Sequence, residues 1–125
     1  MIPRFHLDAF IHKPIEGLSH GTRQRVAIVS ALLHDPEVFV IDEPMVGLDP
    51  QHARVVKDVL KERTRQGATV FLSTHQLSVA EEMADRIGIV HQGRLVACGT
   101  RQELSRQGGL ERVFLSLTGG QPATP

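Results

Sequence analysis

The chain has 125 residues, with 14 basic side chains against 14 acidic ones, a single cysteine and neither tryptophan nor tyrosine. At 41% hydrophobic and 22% charged residues it has the composition of one ordinary globular unit, which excludes a disordered or low-complexity chain. A formal net charge of zero excludes a broad polyanion-binding surface, Cys98 alone excludes an intramolecular disulfide and suits a reducing cytosol, and no apolar run approaches the roughly 18 residues that cross a bilayer.

The start Met1-Ile2-Pro3-Arg4 carries no basic segment followed by an apolar stretch, so no secretory signal is expected. After a lead punctuated by proline, Val26, Val29 and Leu33, joined by Ile28 and Leu32, share one helical face and predict a helix from about Thr22 to Leu33. His34-Asp35-Pro36 ends it, because the residue before proline is driven out of the helical region. Val38-Phe39-Val40-Ile41 reads as a short strand apolar on both faces, the pattern of a buried parallel sheet. Pro50 suits a first helical turn, Val55, Val56, Val59 and Leu60 supply the stripe of the helix that follows, and Gly67 suits its C-terminal cap. Thr69 to Ser73 is a second buried-type strand. Ser78 with Glu81, and Thr100 with Glu103, have capping-box spacing, so a helix is expected to start at each. Between them, Arg86 to His91 and Arg94 to Cys98 are β-like runs separated by Gln92-Gly93, which predicts a hairpin. The alternation of the two periodicities places the chain in the α/β class. The Gly- and Pro-rich end, Thr118 to Pro125, is expected to be a frayed tail.

Chemistry concentrates in four segments. Val38 to Glu43 ends in adjacent carboxylates, and in an open α/β sheet ligands bind beyond the carboxyl ends of the strands. Asp42 and Glu43 are therefore candidates to divide labour, one holding a hydrated Mg²⁺ and the other orienting or deprotonating water. Equally, an Asp-Glu pair at a strand end caps loops in many proteins. Ser19 and Gly21, in Leu18-Ser19-His20-Gly21-Thr22-Arg23-Gln24-Arg25, open a helix whose free N–H groups and dipole favour an anion, and the same residues serve as a plain cap in helices that bind nothing. Asp49, in Gly47-Leu48-Asp49-Pro50, is an acid at a helix start, favourable to the dipole. His75 follows the second strand at a carboxyl end, and is expected to share the space of Asp42 and Glu43. No His-Glu-x-x-His pattern or close Cys/His grouping is present, so no zinc site is expected.

In order and spacing these segments resemble the ABC-type ATPases: Leu18 to Arg25 their signature motif, Val38 to Glu43 their Walker B strand, Gly47 to Pro50 their D-loop and His75 their switch histidine. Ala84-Asp85-Arg86-Ile87 and the run from Gly93 to Thr100 are similar to the segment after the switch, and the likeness covers about Pro14 to Thr118. Leu48-Asp49-Pro50 and the closing Leu110 to Leu115 look most like ATPase subunits of ABC-2 type exporters. The resemblance implies a P-loop NTPase fold present in part, with buried parallel strands flanked by helices and a C-terminal β-hairpin and helix. It implies that Asp42 binds Mg²⁺ through water, that Glu43 is the general base, that His75 contacts the γ-phosphate, and that Ser19 and Gly21 reach the γ-phosphate of ATP held by a second, facing subunit, with Asp49 linking the two sites. It also implies a cytoplasmic ATPase, peripheral at the inner face of the membrane, that dimerises and drives a separate transmembrane permease.

The sequence departs from that pattern in two ways. No G-x-x-x-x-G-K-[ST] loop is present, since Lys13, Lys57 and Lys61 all follow residues other than glycine, and His20 and Thr22 replace the commoner Gly and Gln of the signature. Residues 1–17 are then expected to be a remnant of a helical subdomain, 18–117 the C-terminal half of the nucleotide-binding domain and 118–125 a tail, a fragment with negligible nucleotide affinity and no turnover alone. Two other readings stand beside this one. One is a non-catalytic module that completes a partner's ATP site; the other is an ABC-like ATPase of nucleic-acid metabolism, which neutral charge and the lack of coiled-coil heptads disfavour, so no nucleic-acid partner is expected.

Overall fold

Residues 1–119 are described by a computed structural model, in two units, Met1–Thr74 and His75–Pro125. Of the tail expected over 118–125, residues 120–125 lie outside the described part.

The first unit opens with two 3-10 turns, Asp8–Phe10 and Ile15–Gly17, in a lead whose Phe5, Leu7 and Leu18 are buried. Helix α1 (His20–Leu32) begins at Ser19, whose side-chain oxygen accepts from the Thr22 N–H, and so starts two residues before the expected Thr22. Its buried face is Thr22, Arg25, Ile28, Val29 and Leu32 rather than the purely apolar stripe expected. Leu33, assigned to that stripe, is the C-cap and 68% exposed. The i, i+3, i+4 series of this helix passes through one threonine and one arginine, so the hydrophobic pattern alone sets the face slightly rotated.

Strand β1 (Val38–Asp42) pairs in parallel with β2 (Thr69–Ser73), from Val38 opposite Thr69 to Asp42 opposite Ser73. Between them runs α2 (Pro50–Arg65), capped by Asp49 with Pro50 in its first turn. It stops at Gln66, followed by Gly67 at φ +100°, a left-handed backbone that costs glycine little. The strands are apolar on both faces, as parallel strands covered on both sides are, yet one face of this pair stays open: Val38, Val40 and Phe71 are 62, 71 and 67% exposed. Among the described residues each strand has one neighbour, so each also presents an unpaired edge.

In the second unit, α3 (Leu77–Met83) starts after Gln76 without a side-chain cap. The capping box expected of Ser78 and Glu81 does not form, because Ser78 lies inside the first turn. The Glu81 carboxylate instead accepts from the Leu110 N–H at 3.3 Å. Strands β3 (Arg86–His91) and β4 (Arg94–Thr100) make the expected hairpin, with positive φ at both turn residues, Gln92 and Gly93. The box of Thr100 and Glu103 does form, with both bonds at 3.1 Å, and starts α4 (Arg101–Ser105). Helix α5 (Leu110–Leu117) follows, and Ile87, Ile89, Leu104, Leu110 and Val113 make one buried cluster.

Candidate functional site

The start of α1 meets the turn before α2. At Gly21 a Cβ would stand 2.7 Å from the Gly47 carbonyl oxygen, so only glycine permits this backbone approach. Gly47 has φ +80° and lies under the His20 ring, which occupies the place a side chain would need. Gly21→Ala is expected to cost about 1–3 kcal/mol and to push the turn away from α1, since a backbone oxygen has no rotamer through which to yield. Urea unfolding compared with the parent chain checks it, and an unchanged midpoint would show that the approach is not tight.

The junction forms an open cavity of about 350 Å³, lined by Ser19, Gly21, Thr22, Arg25 and Asp49 among others. Asp49 caps α2: its Oδ1 accepts from the His52 N–H at 2.9 Å and its Oδ2 lies 2.8 Å from His52 Nδ1. The backbone bond from His52 is the main cause that holds the Asp49 carboxyl below its ordinary range, helped by the His52 side chain and by Arg25. The His52 ring meets that of His6 edge-on, with centroids 5.4 Å apart. Arg25 is only 5% exposed. Its Nη1 donates to the carbonyls of Phe5 at 2.7 Å and His6 at 3.4 Å, its Nη2 to Thr22 Oγ1 at 3.2 Å and its Nε to the Gly21 carbonyl at 3.4 Å. Burial lowers the affinity of this guanidinium for its proton and Asp49 opposes that effect, but an arginine keeps its charge in either case.

A second grouping lies at the carboxyl ends of β1 and β2. Asp42 is exposed, and the Ser73 hydroxyl donates to its Oδ1. Glu43 has φ +47°, a region that non-glycine residues enter rarely and at a cost. It is held there by its N–H to the Ser73 carbonyl at 2.8 Å and by Gln24 Nε2 to its own carbonyl at 3.3 Å, while the Thr74 hydroxyl donates to its Oε2 at 3.1 Å. Of the candidates from sequence, Ser19, Gly21 and Asp49 thus gather on one cavity and Asp42 and Glu43 on one strand end, whereas His75 opens the second unit.

These residues fit a hydrated Mg²⁺, which needs one or two carboxylate oxygens and keeps most of its water: Asp42 offers an exposed carboxylate oriented by Ser73. A cage of protein ligands is not what they offer, since no group of three His, Cys, Asp or Glu could hold a metal among the described residues. For ATP, they fit the phosphate end alone, through the N-terminus of α1, a helix of 13 residues. Periodicity did not single out Arg25, Gln24, His52, Ser73 or Thr74. For Arg25 the signal was present, because it falls three residues after Thr22 and three before Ile28 on the face that α1 buries.

The family model described as "AAA domain, putative AbiEii toxin, Type IV TA system" matches residues 13–81, a span that includes all six candidate residues. Among curated proteins, the linearmycin resistance ATP-binding protein LnrL of Bacillus subtilis is 40% identical over 84% of this chain and 34% of its own length. The daunorubicin resistance ATP-binding protein DrrA3 of Streptomyces coeruleorubidus is 37% identical over 94% of this chain and 37% of its own. The energy-coupling factor transporter ATP-binding protein EcfA2 of Methanospirillum hungatei is 41% identical over 78% of this chain and 24% of its own. A solved ATP-binding subunit of an ABC transporter superposes with a TM-score of 0.86 at 34% identity, covering 93% of this chain and 50% of that one. A dimeric ATP-binding cassette in a post-hydrolysis state, bound to ADP and Pi, superposes at 0.74 with 28% identity over 80% of this chain and 44% of its own. The chain therefore spans about a third of the curated relatives and half of the first of these structures. With its parallel strands, flanking helices and C-terminal hairpin, and with relatives of this kind, the chain belongs to the ATP-binding proteins of the ABC transporter family.

Proposed function

We propose that this chain supplies the carboxylate and signature part of an ABC-type ATPase site and that the complete assembly couples ATP hydrolysis to transport through a separate permease. The observation that carries this reading is the convergence of Ser19, Gly21 and Asp49 on one cavity at the start of α1, in a chain whose β1 ends in Asp42-Glu43. Asp42 holds Mg²⁺ through water, and Glu43 takes the proton of the attacking water. The metal supplies charge neutralisation at the phosphates. Ser19 and the N–H groups beside Gly21 face the γ-phosphate of ATP on a second subunit, Asp49 lies between the two sites, and His75 contacts the γ-phosphate of its own subunit. The names of LnrL and DrrA3, resistance ATP-binding proteins, favour export, whereas EcfA2 belongs to a transporter of another type.

The reading is tested by mixing the chain with the loop-bearing half of a related cassette, one that carries G-x-x-x-x-G-K-[ST], and measuring phosphate release. Turnover above that of either part alone is expected, and its absence in a mixture shown to associate would overturn the proposal. Because the signature cavity is built without a lysine loop in the given sequence, a non-catalytic role that only completes a partner's site is the second reading. Mixing the chain with an intact related cassette whose own signature serine is substituted separates the two: for a module that only completes a partner's site, the turnover restored depends on Ser19 but not on Asp42.

A further inference from the structure

Gln24 stands in the first turns of α1, but its side chain reaches away from the cavity to the turn after β1. There its Nε2 donates to the Glu43 carbonyl at 3.3 Å and to the Pro44 carbonyl at 3.4 Å. The two ends of a glutamine amide have the same shape, and here the partners tell them apart: carbonyl oxygens only accept, and the two hydrogens of one NH₂ serve both. The residue so held is strained on two counts. Glu43 has φ +47°, and it precedes Pro44, a position that favours extended backbone. Such a conformation persists only where the surroundings over-determine it. Gln24 also lies three residues after Gly21, on the same side of α1. The helix therefore meets the turn over residues 43–47 at both ends, through the Gln24 amide at Glu43 and through the close approach of Gly21 to the Gly47 carbonyl. Pro44 and Met45, between these points, are buried.

We infer that Gln24 is a positioning residue that acts through Glu43: from α1 it fixes the left-handed backbone that directs the Glu43 carboxylate, and so ties the helix start that carries Ser19 and Gly21 to the strand-end acid of the same chain. That Glu43 is the general base rests on the function proposed above, whereas the hold on its backbone does not. An amide that bridges two successive carbonyls passes any shift of α1 directly to the main chain of the acid.

Two variants test it: Gln24→Met keeps the length of the side chain and removes its donors, and Gln24→Glu keeps its shape and sets an acceptor against two acceptors. In the 125-residue chain, amide hydrogen exchange reads Glu43, whose N–H is bonded to the Ser73 carbonyl at 2.8 Å. Gln24→Met should lower protection at Glu43 about three- to tenfold, the loss of one neutral hydrogen bond, and Gln24→Glu at least as far. Protection at Thr69, at the far end of the strand pair, should not change. In a Glu43→Gly background Gln24→Met should have little further effect, because glycine holds φ +47° unaided. An unchanged Glu43 amide would overturn the inference, and so would an equal loss with glutamate and glycine at position 43, which would mark a contact that only adds stability. In the assembly completed by the loop-bearing half, Gln24→Met should lower kcat about three- to tenfold with KM for ATP close to unchanged, since Gln24 does not line the cavity. An unchanged kcat in an assembly that turns over would overturn the positioning role. No turnover in the parent assembly would count against the ATPase reading, and exchange at Glu43 would still decide whether Gln24 holds that backbone.

Discussion

Arg25→Ala is expected to lower the stability of the first unit by about 3–5 kcal/mol, a large share of the roughly 5–15 kcal/mol available to a small domain. The guanidinium is buried and divides its donors among Phe5, His6, Gly21 and Thr22. Its loss leaves the Phe5 carbonyl and the Thr22 hydroxyl without their charged donor, and opens a space beside a wholly buried Phe5. Arg23 is the control. It also donates to two backbone carbonyls, of Ile15 at 3.1 Å and Glu16 at 2.6 Å, but it is exposed, and water replaces both bonds when it is removed. Arg23→Ala should therefore cost no more than about 1 kcal/mol. Urea unfolding of both variants, followed by circular dichroism, makes the comparison; equal costs would mean that Arg25 does not tie the N-terminal segment to α1.

That contrast also marks where the sequence could be read and where it could not. Both strands, the helix between them, the hairpin at Gln92-Gly93 and the capping box at Thr100 were legible, because each rests on a local rule: two-sided apolar runs, an acid with a following proline, two residues fit for positive φ, a threonine three before a glutamate. Ser78 and Glu81 satisfy the same local rule, but Leu110 claims the carboxylate from 29 residues away. A motif cannot show such competition. The buried face of α1 was displaced for a related reason, since no hydrophobicity pattern places an arginine inside and only its long-range carbonyl partners make that position tolerable. In the candidate site, Ser19 and Gly21 were singled out by their place at a helix start, Asp42 and Glu43 by theirs at a strand end, and Asp49 by the family resemblance. What spacing does not contain is the 2.7 Å limit that Gly47 sets on Gly21, the turning of Asp49 toward His52, and the positive φ of Glu43. The open face of Val38, Val40 and Phe71 was half legible, since runs apolar on both sides call for two covers and the described residues supply one.

Glu43→Gln is expected to reduce ATP turnover of the completed assembly by about 10²–10⁴-fold, the range assigned to a positioned general base, with nucleotide binding close to unchanged. The substitution keeps length, shape and the oxygen that receives the Thr74 hydroxyl, and removes only the capacity to accept a proton from water. Glutamine meets the same backbone constraint as glutamate at φ +47°, so the bonds from Glu43 N–H to Ser73 and from Gln24 to the Glu43 carbonyl stay in place. Folding and chemistry come apart further at this position through glycine. Glu43→Gly relieves a left-handed backbone that costs a side chain about 1 kcal/mol or more, so the chain should melt no lower than the parent despite losing the Thr74 contact, while turnover falls as far as with glutamine. A variant as stable as the parent and yet inactive would place the loss in the carboxylate itself. If glutamine instead keeps turnover within a factor of about ten, Glu43 is not the base, and its strained backbone serves only to direct the chain from β1 into the turn ahead of Asp49.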